Sequence, residues 1–216
     1  MQPVTLEDIN DAAKLLDGVI KKTPSISAGW IEKKYGVDVT FKCENLQRAG
    51  SFKIRGAYNR IARLTTEQRS KGVVAASAGN HAQGVAFMCK YLGVRGRIFM
   101  PVTTPSQKIM KTKTFGGDLI EIKLVGDYFD ETLAAAKAYC EAEQGIFLSP
   151  FDAEDVIMGQ STVAAEIEEQ LGQAPDLIVL PVGGGGLSAG VTSYFGHETH
   201  YAFIEPSGGA CLAAAQ

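Results

Sequence analysis

The sequence predicts an α/β protein built on two open, twisted, mostly parallel sheets covered by helices. Strand and helix signals alternate from residue 73 to residue 204. Strand segments such as 73–76 and 177–182 are short unbroken apolar runs rather than the polar–apolar alternation of a half-solvated sheet, which is the signature of strands buried on both faces. The 216 residues, 45% hydrophobic and 21% charged, suffice to bury a core without disulfides or a structural metal.

The elements follow in order. Ile9, Ala12, Ala13, Leu16, Val19 and Ile20 recur at helical spacing. Residues 37–42 alternate like a strand. Residues 52–64 are helical, with Ile54, Ala57, Tyr58, Ile61 and Leu64 on one side. Thr65-x-x-Gln68 reads as a capping box for a short helix. Strands are then predicted over 73–76, 97–100, 119–124, 146–148, 177–182 and 201–204. The intervening helices are predicted from the loop at 77–80 to about residue 92, and over 106–114, 129–143, 153–171 and 187–195. Pro101, Pro150 and Gly172 stop elements where the pattern requires a stop. Residues 209–216 read as mid-helix with neither cap nor stop signal, so the C-terminal part of the fold is expected to be missing.

Composition excludes several function classes. Lys and Arg number 21 against 24 Asp and Glu, a net charge of −3 that lacks the basic footprint of a nucleic-acid binder. No apolar run approaches the roughly 18 residues of a membrane span. The N-terminus, with neither a basic patch nor an apolar stretch, predicts no signal peptide. Cys43, Cys89, Cys140 and Cys211 form no C-x-x-C pair and read as reduced, mostly buried thiols of a cytoplasmic protein. His197-Glu198-Thr199-His200 is not a zinc motif, because H-E-x-x-H needs its second histidine where Tyr201 stands. No metal site is expected.

Three segments carry chemistry, each at the end of a strand or the start of a helix. Gly183-Gly184-Gly185-Gly186-Leu187 lies between a buried strand and a helix. Its backbone N–H groups and the helix N-terminus form an anion cradle suited to a phosphate. Gly184-x-Gly186-x-x-Ala189 with Glu205 also fits a dinucleotide fingerprint, which keeps a nicotinamide-dependent Rossmann dehydrogenase open. Gly50-Ser51-Phe52-Lys53-Ile54-Arg55-Gly56-Ala57 places Lys53 at a helix start, where a cation is electrostatically disfavoured. Such a lysine suits Schiff-base chemistry, with Phe52 as an aromatic wall. Ser77-Ala78-Gly79-Asn80-His81 is a strand–loop–helix turn of small residues. It can hold a carboxylate in backbone N–H groups, and Asn80 can serve a ring oxygen.

Together these segments resemble the fold-type II pyridoxal-phosphate enzymes, and within them the threonine/serine dehydratase branch. Phe147-Leu148-Ser149-Pro150-Phe151-Asp152 and Gly159-Gln160-Ser161-Thr162 match that branch as well. The resemblance implies pyridoxal 5′-phosphate as cofactor and Lys53 as the Schiff-base lysine and base at the substrate Cα. It implies Phe52 against the cofactor ring, Asn80 at the ring O3′, and Gly183, Gly184, Gly185, Gly186 and Leu187 around the phosphate. Ser77, Ala78, Gly79, Asn80 and His81 would surround the substrate carboxylate. The implied reaction turns L-threonine into 2-oxobutanoate, and L-serine into pyruvate, with release of ammonia.

Racemases of this group resemble Ser-Ser-Gly-Asn-His at the substrate loop. Ala78 stands here at the second position, which favours elimination over a serine racemase-like reaction. The relatives also imply a later serine-bearing segment at the pyridine nitrogen that has no match here, so an inactive truncated remnant is a third reading. Glu205-Pro206 matches half of a cation motif whose other half falls on Cys211, and that site is not carried over. The resemblance implies a tryptophan synthase β-like architecture. A small mobile lobe over 70–149 would close on a large cofactor lobe assembled from 1–69 and 150–216, in a homo-oligomer, dimer or tetramer, acting on a small amino acid.

Overall fold

The computed structural model describes residues 4–214. Thr5 caps α1 (Leu6–Leu16) by exchanging hydrogen bonds with Asp8. The helix stops at Leu16, earlier than the apolar spacing through Ile20 predicts, because Gly18 turns the chain left-handed at φ +70°. An antiparallel ribbon follows, β1 (Ser25–Ser27) against β2 (Thr40–Lys42), with the short helix α2 (Gly29–Tyr35) between its strands. The strand expected from residue 37 starts only at Thr40, since Gly36 ends α2 in the left-handed region.

Next come α3 (Lys53–Ala62) and α4 (Thr66–Lys71), the latter opened by the predicted Thr65–Gln68 box. The predicted alternation then appears in full as β3 (Val73–Ala76), α5 (Asn80–Leu92), β4 (Gly96–Met100), α6 (Ser106–Gly116), β5 (Ile120–Leu124), α7 (Phe129–Ala142) and β6 (Ile146–Phe147). The four strands form one parallel sheet in the order β5-β4-β3-β6. Side chains leave β3 alternately. Val73 and Ala75 pack with Ile54, Ile61, Val85 and Met88 of α3 and α5, while Val74 and Ala76 pack with Ala136 and Cys140 of α7. Both faces are therefore covered, which is why this strand reads as an unbroken apolar run.

The long helix α8 (Glu154–Leu171) crosses α3 and leads to a parallel pair, β7 (Leu177–Pro181) with β8 (His200–Ile204), joined through α9 (Gly186–Phe195). Ala164, Val191 and Phe195 form the core beneath this pair, while Leu177, Val179 and Ile204 stay exposed. The parallel architecture thus consists of one four-stranded sheet and one two-stranded pair, with an antiparallel ribbon beside them. Of the helix expected over 209–216, α10 (Cys211–Ala214) is seen, and residues 215–216 lie outside the described residues. So do residues 1–3, part of the segment read as lacking a signal peptide. The four cysteines are free; Cys89 and Cys140 are buried, Cys43 is half-buried and Cys211 is exposed. Among the described residues no helix is long and apolar enough to cross a membrane.

Candidate active site

Lys53 is the first residue of α3, and its Nζ donates to the Pro150 carbonyl at 2.6 Å. The amine lies 5.4 Å from the centre of the Phe52 ring. Burial pushes its pKa down to about 8, because leaving water disfavours the ammonium and no counter-charge among the described residues compensates. An ordinary lysine is almost wholly protonated at neutral pH, whereas this one has a substantial neutral fraction just above it.

The loop after β3 leads straight into α5. The Ser77 amide is held by the Phe99 carbonyl, and Ser77 Oγ accepts the Gly79 N–H at 3.1 Å. Asn80 begins the helix and is exposed, so its side chain is available to a ligand. His81 is buried. Its Nε2 lies 3.0 Å from the Leu148 carbonyl. Burial first, and the Lys53 charge second, push the His81 pKa down to about 4. One turn on, Gly84 rests against the start of α3; a Cβ there would stand 3.1 Å from the Ile54 nitrogen, so any larger residue would push the two helices apart at Lys53.

The glycine segment closes the β7–α9 turn. Gly185 is left-handed at φ +83° and caps α9, which begins at Gly186. Gly183 and Gly184 are exposed, and nothing lies within 4 Å of the Cβ positions of Gly183 or Gly185. The first N–H groups of α9 have no partner within their own helix, as at any helix start. The dehydrogenase alternative loses its acidic residue. The Glu205 carboxylate accepts the N–H groups of Leu212 and Ala213 at 2.8 and 3.1 Å, capping α10 instead of standing free for a ribose.

One segment joins all three motifs. Leu148 accepts from His81, Pro150 accepts from Lys53, and Phe151 lies on the glycine loop. A Cβ on Gly184 would run into the Phe151 ring, and one on Gly186 would stand 2.8 Å from the Phe151 carbonyl oxygen. The segment leaves the sheet beside the Ser77–His81 loop because β6 pairs with β3 and the Leu148 amide bonds the Val74 carbonyl. Ser149 bonds the side chain of Asp152, which shapes the turn before α8. The sequence motif 147–152 marks this stretch, but nothing in it assigns a role to Leu148, Pro150 or Phe151, whose contributions are backbone carbonyls and one ring.

Behind Lys53, the wholly buried guanidinium of Arg55 bonds Glu44, Glu166 and Thr162. Lys42 bonds Glu166 at 2.6 Å and the Thr23 carbonyl at 2.7 Å. Two cations and two carboxylates balance. Burial alone would lower the Arg55 pKa, but the bonds to Glu44 and Glu166 overcome it and raise the value. The network ties α3 to α8 and to the turn after β2, so it fixes the helix that presents Lys53.

Residues 16–216 match the model of the pyridoxal-phosphate dependent enzyme family. The chain therefore belongs to that family, with the architecture of its fold type II. It is 47% identical to the L-threonine dehydratase biosynthetic IlvA of Lactococcus lactis, over 98% of this chain and 52% of that protein. It is 43% identical to the protein of that name in Bacillus subtilis, over 96% of this chain and 50% of the relative. The chain thus spans about half the length of the curated relatives it matches. Among solved structures it is similar to maize serine racemase, with a TM-score of 0.89 and 33% identity over 96% of this chain and 63% of that one. It is also similar to the processed form of threonine deaminase isoform 2 from Solanum lycopersicum, with a TM-score of 0.84 and 37% identity over 95% and 58% of the two chains.

The residues fit the family's cofactor. A depressed lysine amine suits an aldehyde, and a glycine turn open at Gly183 and Gly185 suits a phosphate.

Proposed function

We propose that this chain carries the site of a pyridoxal-phosphate-dependent threonine dehydratase, acting on L-threonine and on L-serine. One observation carries the reading: Lys53 is largely buried without a counter-charge among the described residues, its pKa is down at about 8, and its Nζ is held by a backbone carbonyl. That is the state required of an amine that must form a Schiff base and then take a proton from carbon. The relatives named L-threonine dehydratase supply the substrate class.

When bound, pyridoxal phosphate supplies an electron sink that acidifies the substrate Cα–H. The rest falls to the chain. In this reading the amides of Gly183 to Leu187 hold the phosphate, Asn80 holds the ring oxygen, and Phe52 lies along the ring. Ser77 to His81 face the substrate carboxylate, and Lys53 takes the Cα proton. The β-hydroxyl leaves as water with one proton, which balances the one that Lys53 takes from Cα, and hydrolysis by a second water gives 2-oxobutanoate or pyruvate with ammonia. We read 70–149, which contains the whole four-stranded sheet, as a lobe that closes on the remainder to exclude water. A homo-oligomeric state and a cytoplasmic setting belong to the same proposal.

Racemisation needs a second proton donor on the opposite face of Cα. Ala78, in the substrate loop, offers only a methyl group. Borohydride reduction in the presence of pyridoxal phosphate, followed by peptide mapping, tests the site. A pyridoxyl group on Lys53 is expected, and a folded chain with none there overturns the assignment. Incubation with L-threonine and L-serine then separates the reactions: 2-oxo acid and ammonia are expected, and D-serine as the main product would make the chain a racemase.

A further inference from the structure

We propose that His81 is a positioning residue held in one neutral tautomer: its Nε2–H clamps the Leu148 carbonyl and thereby fixes the segment whose Pro150 carbonyl holds the Lys53 amine.

The geometry is a relay of two backbone carbonyls. A carbonyl oxygen only accepts, so the ring nitrogen 3.0 Å from Leu148 must carry the hydrogen. Nδ1 is then a bare acceptor; it is fully buried and has no hydrogen-bond partner among the described residues. The ring is thus held by a single hydrogen bond. Leu148 is fixed on its other side as well, because its amide donates to the Val74 carbonyl at 2.8 Å. Two residues on, Pro150 holds Nζ of Lys53 at 2.6 Å. Proline fixes its own φ and restricts the residue before it, so the link from Leu148 to Pro150 is stiff. A displacement of Leu148 therefore reaches the Lys53 amine.

The same geometry denies the ring a proton-transfer role. A proton on Nδ1 would create an unpaired buried cation facing Lys53 across the α5–α3 contact. Burial and that neighbouring charge hold the ring neutral, with its pKa at about 4. Among the described residues, the groups facing the two side chains are few. His81 meets Lys53 and the Leu148 carbonyl, and Lys53 meets the Phe52 ring, His81 and the Pro150 carbonyl. The Lys53 titration therefore reports on how tightly this segment is closed against water.

The inference does not depend on the proposed substrate, because its readouts are the lysine and the imidazole. Competitive labelling of the full chain with acetic anhydride between pH 6 and 11, with peptide mapping, gives the pH at which Lys53 is half reactive. It is compared among the unsubstituted chain, His81→Gln and His81→Met. Glutamine and methionine have nearly the same length, but only glutamine keeps a donor near the Nε2 position. The half-point is expected near pH 8 for the unsubstituted chain and for His81→Gln. In His81→Met it is expected to rise by about one unit as water reaches the amine. Equal half-points in the two variants overturn the proposal. If His81→Met does not fold, the imidazole ¹⁵N shifts of the unsubstituted chain decide the matter: a neutral Nε2–H ring at pH 6 supports it, and an imidazolium or an Nδ1–H ring overturns it.

Discussion

Gly56 of α3 and Gly159 of α8 meet backbone to backbone; a Cβ on Gly159 would stand 2.6 Å from the Gly56 Cα and 2.7 Å from the Arg55 carbonyl oxygen. No rotamer change relieves a clash with backbone, so the helices must separate. Gly159→Ala is expected to destabilise the fold by about 1–3 kcal/mol, as overpacking does. Thermal unfolding should show it as a fall of about 2–4 °C per kcal/mol. Because α3 carries Lys53 and α8 anchors the Pro150 turn, the variant should also label less efficiently with pyridoxal phosphate and borohydride. An unchanged melting temperature would show that the crossing has slack.

Arg55 is the centre of charge inside the same crossing. Removing it leaves the half-buried carboxylates of Glu44 and Glu166 with only the Lys42 charge to offset them. Arg55→Met is expected to cost about 3–5 kcal/mol in urea unfolding, the range for breaking one partner out of a buried pair. Arg55→Lys should recover only part, since an ammonium cannot fork between two carboxylates. Full recovery by lysine would mean that charge matters here and bidentate geometry does not.

The network also sets an acid limit. The Glu166 pKa is lowered in the fold; burial acts to raise it, but the bonds to Arg55 and Lys42 prevail. A carboxyl depressed in the folded state binds its proton first in the unfolded chain, so its contribution is present above about pH 4.3 and is lost as pH falls through the lower folded value. Melting between pH 6 and pH 3 should therefore show a steeper loss of stability for the unsubstituted chain than for Glu166→Gln. Parallel slopes would remove Glu166 from the account of acid unfolding.

The elements most legible in the sequence are those whose burial is uniform. β3 is apolar on both faces and could be placed from composition and flanking turns. By contrast, β1 is only three residues, and α2 buries none of its residues, so neither leaves an apolar stripe to find. The proposed site divides in the same way. Lys53, Asn80 and the four glycines are visible because their chemistry resides in residue types and spacing. The carbonyls of Leu148 and Pro150 are not, since every residue has one and only the fold decides which point inward. Nothing in residue type or spacing pairs Arg55 with Glu166, whose bond forms only where α3 crosses α8.

Two adjacent glycines separate backbone freedom from space. Gly185 needs a left-handed φ but has open surroundings, so Gly185→Ala meets strain of about 1 kcal/mol and no clash. Gly184 has an ordinary φ, yet its Cβ would enter the Phe151 ring. Gly184→Ala is therefore expected to displace Phe151 and to weaken pyridoxal phosphate binding more than Gly185→Ala does, by roughly 5- to 150-fold for about 1–3 kcal/mol of overpacking. Equilibrium dialysis against pyridoxal phosphate measures both variants. The reverse order would place the phosphate contacts on the geometry at Gly185 rather than on the space at Gly184.

Lys53 itself should oppose stability. A lysine whose folded pKa is lowered from 10.5 to about 8 binds its proton more weakly in the fold than in the unfolded chain. Between those values the unfolded state carries more protons, so stability rises with pH through that window. Below it the fold bears the whole penalty, about 3 kcal/mol for a shift of this size. Lys53→Met, which keeps the stem and removes the charge, should therefore melt higher than the unsubstituted chain at pH 7. The gap should narrow steadily above pH 8 and close near pH 10. A variant that melts lower at pH 7 would show that the bond to Pro150 outweighs the burial of the ammonium, and that the amine supports the site structurally as well as chemically.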